Sequence, residues 1–553
     1  MDKHEDGAPD RRRVVAGIGA AAGLAPAILS GPATAAGQAR EAVVETTAGK
    51  VRGSQGDGVV EFLGVPYGAS TAGANRFMPP KKPEPWAGVR EAPALRRIAP
   101  QTNPKVPPPP PGSLFSIIRE SNADETEDCL NLCIWTPGLD TAKRPVMVWL
   151  HGGGYASGSG SNPSYFGGNL AKRGGVVVVN VTHRLNVFGH TYLGEMLGAP
   201  FATSGNCGML DIAAALEWVR DNIARFGGDP GKVMIFGESG GGGKVASMLA
   251  MPRAKGLIHR ASMQSGSVRT LSERPEATRC AEILLAELGL KPAQAADLQT
   301  VPMARLLDAY FAASAKFGGG LGAFGPVRDG VSILHHPFDP VVNPLAINVP
   351  LMIGTNNTEV TLFSLADEAA FNLDDAGLMA RMAGTVGQRN AEAAVKLYRA
   401  RYPQASPSDL YFVMSTDRSA GFRRGATLIA EMKAAQAGAP AHLYQLLWNT
   451  PIMDGRLRSP HGLEISLAFD NPNSPFTAPI TGGGPRALAM AAVVSDAWIA
   501  FAHTGDPSTA RLPWRAYDLE KRTTMLFDET SRAASDPFRD TRMFWDGLAN
   551  PFM

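Results

Sequence analysis

A buried-type strand, Val233-Met234-Ile235-Phe236, runs straight into Gly237-Glu238-Ser239-Gly240-Gly241, and a small-residue helix start follows. This order constrains the fold more than any other feature of the chain, because it describes a nucleophile elbow. A serine hydroxyl is a poor nucleophile at neutral pH, so it needs a base beside it and exposure at the tip of a sharp turn. Glycines two positions either side let the backbone make that turn without steric conflict. Glycine is abundant here, 61 of 553 residues, so the pentapeptide alone is a weak signal. The strand before it and the helix after it supply the context that the motif requires. Gly243-Lys244 also invites comparison with a phosphate loop. A Walker A loop needs Gly where Glu238 stands and Ser or Thr where Val245 stands, so nucleotide binding is not expected.

A serine nucleophile also needs donors for the developing alkoxide. Upstream, Val146-Met147-Val148-Trp149-Leu150 reads as a strand that enters His151-Gly152-Gly153-Gly154-Tyr155. Consecutive glycines after a strand allow backbone N–H groups to converge on one spot with no side chain in the way. Gly153 and Gly154, with Gly240 after the nucleophile, are the expected oxyanion donors.

The acid and the base should follow in the order Ser, acid, His, each after a strand of the same sheet. Pro350-Leu351-Met352-Ile353-Gly354 reads as a buried strand, and the loop Thr355-Asn356-Asn357-Thr358-Glu359 ends in a carboxylate that could orient an imidazole. Another strand pattern over 441–448 precedes Ser459-Pro460-His461-Gly462-Leu463-Glu464. His461 is the candidate general base, although for one of ten histidines a surface or satisfied core position is the commoner outcome by spacing alone.

These motifs and others in order along the chain resemble the type B carboxylesterases of the α/β-hydrolase superfamily, the group that includes bacterial para-nitrobenzyl esterases and the cholinesterases. The resemblance runs from about residue 43 to 545. It takes in Phe62-Leu63-Gly64-Val65-Pro66-Tyr67-Gly68, Glu127-Asp128-Cys129-Leu130-Asn131-Leu132, Arg184-Leu185-Asn186-Val187-Phe188-Gly189 and Gly205-Asn206-Cys207-Gly208-Met209-Leu210-Asp211. It continues through Phe226-Gly227-Gly228-Asp229-Pro230 and Phe501-Ala502-His503-Thr504-Gly505-Asp506-Pro507. It implies an α/β-hydrolase fold: a large, mostly parallel central sheet flanked by helices, with helical excursions covering the active site. Position by position it implies Ser239 as nucleophile, Glu359 as acid and His461 as base. It also implies Ser265 as a serine that hydrogen-bonds the acid, and Arg76 with Glu127 and Arg184 with Asp211 as structural ion pairs.

The chain departs from the family in several places. Relatives usually place a cysteine before a Pro-Gln pair to bridge to the position of Cys129, whereas this chain reads Ile98-Ala99-Pro100-Gln101. That disulfide cannot form in the usual way. The loop over 99–129 has no tryptophan to hold a quaternary ammonium by cation–π attraction, so a choline ester is an unexpected substrate. Its run Pro107 to Pro111 stiffens the backbone, either at the rim of the active-site entrance or as a plain surface loop. Thr358 stands where an Asp is usual, and Gly240 where an alanine is usual. Neither removes a needed group, because the Gly240 donor is a backbone N–H.

With 44% hydrophobic residues the chain can bury a large core, and the resemblance crosses it without a linker. One catalytic domain is therefore expected over 37–553, with no internal repeat. Helical patterns over 269–348 and 362–439 are expected to cover the carboxyl edge of the sheet and shape the pocket. A net charge of +2 with dispersed Lys and Arg gives no basic stripe, which argues against nucleic acid. No cofactor or metal is expected, and the sequence leaves the oligomeric state open.

Residues 1–36 read as an export signal. Arg11-Arg12-Arg13 precede an apolar, Ala/Gly-rich stretch, and Ala33-Thr34-Ala35 has the small-residue spacing of a signal-peptidase site. The paired arginines resemble the twin-arginine type, which carries folded proteins, so the expected location is periplasmic or secreted. An uncleaved tail or short anchor is the alternative. No later stretch is expected to be long and apolar enough to span a bilayer. Cys129, Cys133, Cys207 and Cys280 show no familiar pairing pattern, so few or no disulfides are expected.

The reading that unites these features is a serine esterase acting on a small-molecule carboxylic ester through an acyl-enzyme. An amidase or carbamate hydrolase would use the same triad. A non-catalytic binding module is disfavoured, because such domains have typically lost the nucleophile.

Overall fold

Arg144–Leu150, Val177–Thr182 and Gly228–Glu238 are strands whose apolar runs are covered on both faces, and side chains alternate between two cores. Val146, Val148, Leu150, Val179 and Ile235 join one core, against the helices Cys207–Asn222 and Arg423–Ala434. Met147, Trp149, Val178, Met234 and Phe236 join the other, against the helix Gly484–Thr504. In this computed structural model the described residues are 40–92, 97–106, 114, 123–317 and 323–548. The expected export signal and the Pro107 to Pro111 run lie outside them.

Among the described residues the main sheet has 13 strands. In order across the sheet they are Arg40–Glu45, Lys50–Gly56, Val59–Pro66, Asn131–Thr136, Val177–Thr182, Arg144–Leu150, Gly228–Glu238, Arg260–Gln264, Leu351–Asn356, Ala441–Leu446, Thr523–Phe527 and Arg532–Ser535, with Val89–Glu91 beside Lys50–Gly56. From Val177–Thr182 to Thr523–Phe527 every neighbour pair is parallel; outside this block the strands pair antiparallel, except Val89–Glu91, which runs parallel to Lys50–Gly56. This is the α/β-hydrolase architecture. The strands that carry the site are Arg144–Leu150, Gly228–Glu238, Leu351–Asn356 and Ala441–Leu446, and in a parallel block their carboxyl ends open on one edge.

One sequence expectation needs correction. Gly484–Thr504 is a 21-residue helix of mean hydropathy 1.4, long and apolar enough by length and composition to cross a membrane. Its Met490, Val494, Trp498 and Phe501 pack into the second core, so its apolar character is spent on the sheet.

Two buried ion pairs fasten the segments around this core. Arg184 donates from Nε and Nη2 to Asp211 at 2.8 and 2.6 Å, and from Nη1 to Met78 O at 2.9 Å. Arg76 donates from Nε to Glu127 at 2.8 Å and from Nη1 to Leu298 O at 2.9 Å. Removing one member of either pair would strand a buried charge. Cys129, Cys207 and Cys280 are buried free thiols, and burial pushes Cys207 up to about 12 and Cys280 up to about 11, which makes them poor nucleophiles.

Candidate active site

Ser239 sits at φ 58° and ψ −122°, a backbone conformation that strains any residue but glycine. Its N–H donates to Gln264 O at 2.8 Å on the neighbouring strand, and the helix Gly240–Leu249 begins at the next residue. The flanking glycines are required by contact as well as by turning. A Cβ on Gly237 would lie 2.6 Å from Leu150 O, and one on Gly241 only 2.0 Å from it.

The same strand, Arg144–Leu150, leads into the glycine loop. Gly153 and Gly154 take φ 84° and 63°, and Gly153 O accepts from Ala156 and Ser157 N–H at 3.2 and 3.1 Å. The loop rests directly on the elbow: a Cβ on Gly240 would lie 2.2 Å from Gly154 O and 2.4 Å from Gly154 Cα. An alanine here would not fit this approach unless the loop moved. Among the described residues no acceptor takes the N–H of Gly153, Gly154 or Gly240, which leaves all three available to an oxyanion.

The acid and the histidine come from the loops after Leu351–Asn356 and Ala441–Leu446. Glu359 is fully buried. Its Oε1 accepts from Asn356 N–H and from Ser265 Oγ, each at 2.6 Å, and its Oε2 accepts from His461 Nδ1 at 2.6 Å. Because a carboxylate only accepts, Nδ1 carries the proton and Nε2 is left to take one. The two loops are tied together. Thr358 N–H donates to Ser459 O and Ser459 N–H to Thr358 Oγ1, both at 3.0 Å, so the threonine that replaces the usual Asp holds the histidine loop in place.

Ser239 and His461 line one cavity of about 120 Å³, together with Gly152, Gly153, Tyr165, Leu362, Phe363, Ile465 and Ile480. Nε2 of His461 lies 3.1 Å from Glu238 Oε1 as a charge contact, and among the described residues no hydrogen bond joins it to Ser239. Catalytic hydrogen bonds of this kind commonly tighten only when substrate binds.

Three carboxylates therefore surround one imidazole. Glu464 accepts from Asn356 Nδ2 at 2.5 Å and from Ser265 Oγ at 3.4 Å. Burial, reinforced by neighbouring carboxylates against the pull of His461, pushes Glu238 up to about 8 and Glu464 up to about 7. Burial alone would depress His461, but Glu238 and Glu359 outweigh it and raise the imidazole to about 9. Glu238 and His461 are linked: a proton on Glu238 removes an anion that favours imidazolium, so His461 more readily stays neutral and open to a proton from Ser239 once Glu238 is neutral.

The geometry brings Ser265, Glu359 and His461 into one hydrogen-bonded chain and sets Ser239 in the same cavity. The 362–439 region reaches the site through Leu362 and Phe363. The 269–348 region contributes no lining residue among those described; its helices Arg274–Glu287 and Met303–Ala315 pack with Phe77, Val187 and Phe188 in a separate cluster. Sequence reading gave no role to the acid of the elbow itself, Glu238, or to two aromatic rings. Phe363 and Phe422 lie 4.9 and 5.4 Å from the His461 ring, and Phe363 is 57% exposed. The signal for Phe363 was its place one turn after Glu359; Phe422 comes from a distant loop and gave none.

Comparison with known proteins identifies the family. The family profile described as "Carboxylesterase family" matches residues 40–545. Para-nitrobenzyl esterase of Bacillus subtilis is 34% identical over 90% of this chain and 97% of its own length. Phenmedipham hydrolase of Pseudarthrobacter oxydans is 31% identical over 89% and 97%. A crystal structure of a Geobacillus stearothermophilus carboxylesterase superposes with a TM-score of 0.76 at 36% identity, covering 91% of this chain and 99% of that one. The chain belongs to the carboxylesterase family.

Proposed function

We propose that this carboxylic ester hydrolase works through Ser239, His461 and Glu359. Ser239 Oγ attacks the ester carbonyl carbon while His461 Nε2 takes its proton, and Glu359 holds the imidazole in the Nδ1–H tautomer and stabilises the imidazolium. The tetrahedral oxyanion rests on the N–H groups of Gly153, Gly154 and Gly240. His461 returns the proton to the departing alcohol, and water, activated by the same imidazole, releases the acid from the acyl-enzyme. The observation that carries this reading is the Glu359–His461 contact of 2.6 Å at the wall of the cavity that Ser239 lines.

The cavity wall around these groups is largely apolar, which suits a small, uncharged carboxylic ester. The test is a rate comparison on para-nitrophenyl acetate and butyrate and on matched amides and carbamates. Ester hydrolysis that vanishes in Ser239→Ala supports the reading. A folded protein inert on every ester, or faster on amides or carbamates, overturns it.

The proposal extends to the whole chain. Residues 37–553 form one catalytic domain, supported by the single compact unit from Arg40 onward and by a family match that begins at residue 40. Residues 1–36 direct export to the periplasm or medium, supported by Arg11-Arg12-Arg13, the apolar stretch and the Ala33-Thr34-Ala35 spacing.

A further inference from the structure

The elbow helix opens on four glycines, Gly240 to Gly243, more than the turn itself requires. The run keeps side chains away from the oxyanion loop and its flanks: a Cβ at Gly240, Gly241 or Gly243 would meet Gly154 O at 2.2 Å, Leu150 O at 2.0 Å or Tyr155 Oη at 2.5 Å. Bare glycines allow close approach but offer nothing that locks the loop in register. The next residue does. Lys244 is fully buried, and its Nζ donates to His151 O at 2.8 Å and lies 3.5 Å from His151 Nδ1.

The surroundings of Lys244 suit an amine and oppose an ammonium. His151 stacks on His183 with ring centroids 4.9 Å apart, and His190 packs edge-on to Tyr155 at 5.5 Å. Each imidazole donates Nδ1–H to a carbonyl: His151 to Gly152 O at 2.9 Å, His183 to Arg184 O at 2.7 Å, His190 to Gly205 O at 3.1 Å. Burial, which depresses all three imidazoles, keeps the rings neutral. The nearby cation, Arg184, is already bound to Asp211. Among the described residues Lys244 has no ion pair with a carboxylate. Burial holds Lys244 well below the usual lysine range, and it depresses His151, His183 and His190 as well. A buried charge without a partner is costly, so this lysine acts as a neutral hydrogen-bond donor.

We propose that Lys244 is a positioning residue that grips the His151 carbonyl and so fixes the loop whose following peptides, at Gly153 and Gly154, present the oxyanion donors. The inference rests on the oxyanion role proposed above and adds the side chain that sets its geometry. Lys244 touches no substrate; it acts through the loop.

Lys244→Met keeps length and apolar contact but removes the donor, Lys244→Ala removes both, and Lys244→Gln restores a donor. The readouts are kcat and KM on para-nitrophenyl butyrate, the inhibition constant of an alkyl trifluoromethyl ketone, whose hemiketal oxyanion occupies the hole, and the Tm. Losing one oxyanion donor outright costs about 10²–10³ in turnover, so a misplaced loop should cost roughly tenfold or more. Lys244→Met should lower kcat and weaken the ketone by similar factors with KM nearly unchanged, and Lys244→Gln should recover part of both. Should Lys244→Met fail to fold, Lys244→Ala is read the same way. Unchanged kcat and ketone affinity, or a lower Tm with full turnover in the folded fraction, would overturn the proposal. Wild-type protein that neither hydrolyses the ester nor binds the ketone would overturn the catalytic reading itself, whereas an active wild type matched by its variants would overturn only the role of Lys244.

Discussion

His461 is held between two glutamates: Nδ1 is 2.6 Å from Glu359 Oε2, and Nε2 is 3.1 Å from Glu238 Oε1. Glu359 orients the ring, whereas Glu238 competes with Ser239 for the nitrogen that must accept a proton. Glu238 and His461 are both raised in the folded protein, to about 8 and about 9, so the folded state binds these protons more tightly than the unfolded chain. Their contribution to stability is full below the unfolded values and is lost as pH rises through 8 to 9. The Tm should therefore fall by on the order of a few °C between pH 5 and 9, and Glu238→Gln should flatten that slope. The same variant should move the acidic limb of the kcat/KM profile down by about 1 pH unit or more, because the imidazolium loses an anionic neighbour. Scanning calorimetry and a pH–rate series check both, and an unmoved acidic limb would show that Glu238 does not act on the base.

Glu359→Gln leaves the shape of the acid loop but presents an amide where Nδ1–H, Asn356 N–H and Ser265 Oγ–H all need an acceptor. An amide stabilises the wrong tautomer and cannot balance an imidazolium, so kcat should fall by roughly 10³–10⁴ with KM little changed. Steady-state kinetics on para-nitrophenyl acetate measure it. A crippling Glu464→Gln beside a harmless Glu359→Gln would reassign the acid.

Gly240→Ala should impair this chain. The added methyl would sit 2.2 Å from Gly154 O, a backbone atom that moves only with the oxyanion loop. One misplaced donor costs on the order of 10²-fold in kcat, and most of that loss should appear in the acylation rate. A fully active Gly240→Ala would mean that the loop relaxes freely and that the glycine contact sets nothing.

The elbow, the glycine loop and the strands behind them were legible in the sequence because each is a local pattern. Apolar strands buried on both faces read as continuous runs, and glycines mark where backbones meet. Even so, the reason for Gly240 was missed, since Gly154 approaches from 86 positions earlier in the chain. The acid and base were legible only as a carboxylate and a histidine in loops after strands; parallel pairing of Leu351–Asn356 with Ala441–Leu446 brings those loops together. Lys244 was read only as a failed phosphate loop, because its partner His151 and the rings of His183 and His190 converge through tertiary packing. The helix Gly484–Thr504 shows the opposite limit: its composition fits a membrane span, and only its packing against Trp149 and Phe236 through the second core assigns it to the sheet.

Export is tested apart from the chemistry. If the twin-arginine route is used, Arg12→Lys with Arg13→Lys should trap precursor in the cytoplasm, because that route reads the arginine pair and not its charge. Cell fractionation and amino-terminal sequencing measure it; unchanged export and processing would rule that route out.

The most direct test of the central claim is to treat the protein with a fluorophosphonate and locate the adduct by peptide mass spectrometry. The account predicts one equivalent on Ser239, esterase activity lost in proportion to labelling, and a Ser239→Ala protein that keeps its Tm but neither reacts nor turns over ester. Stoichiometric labelling elsewhere, or ester turnover by Ser239→Ala, would contradict it.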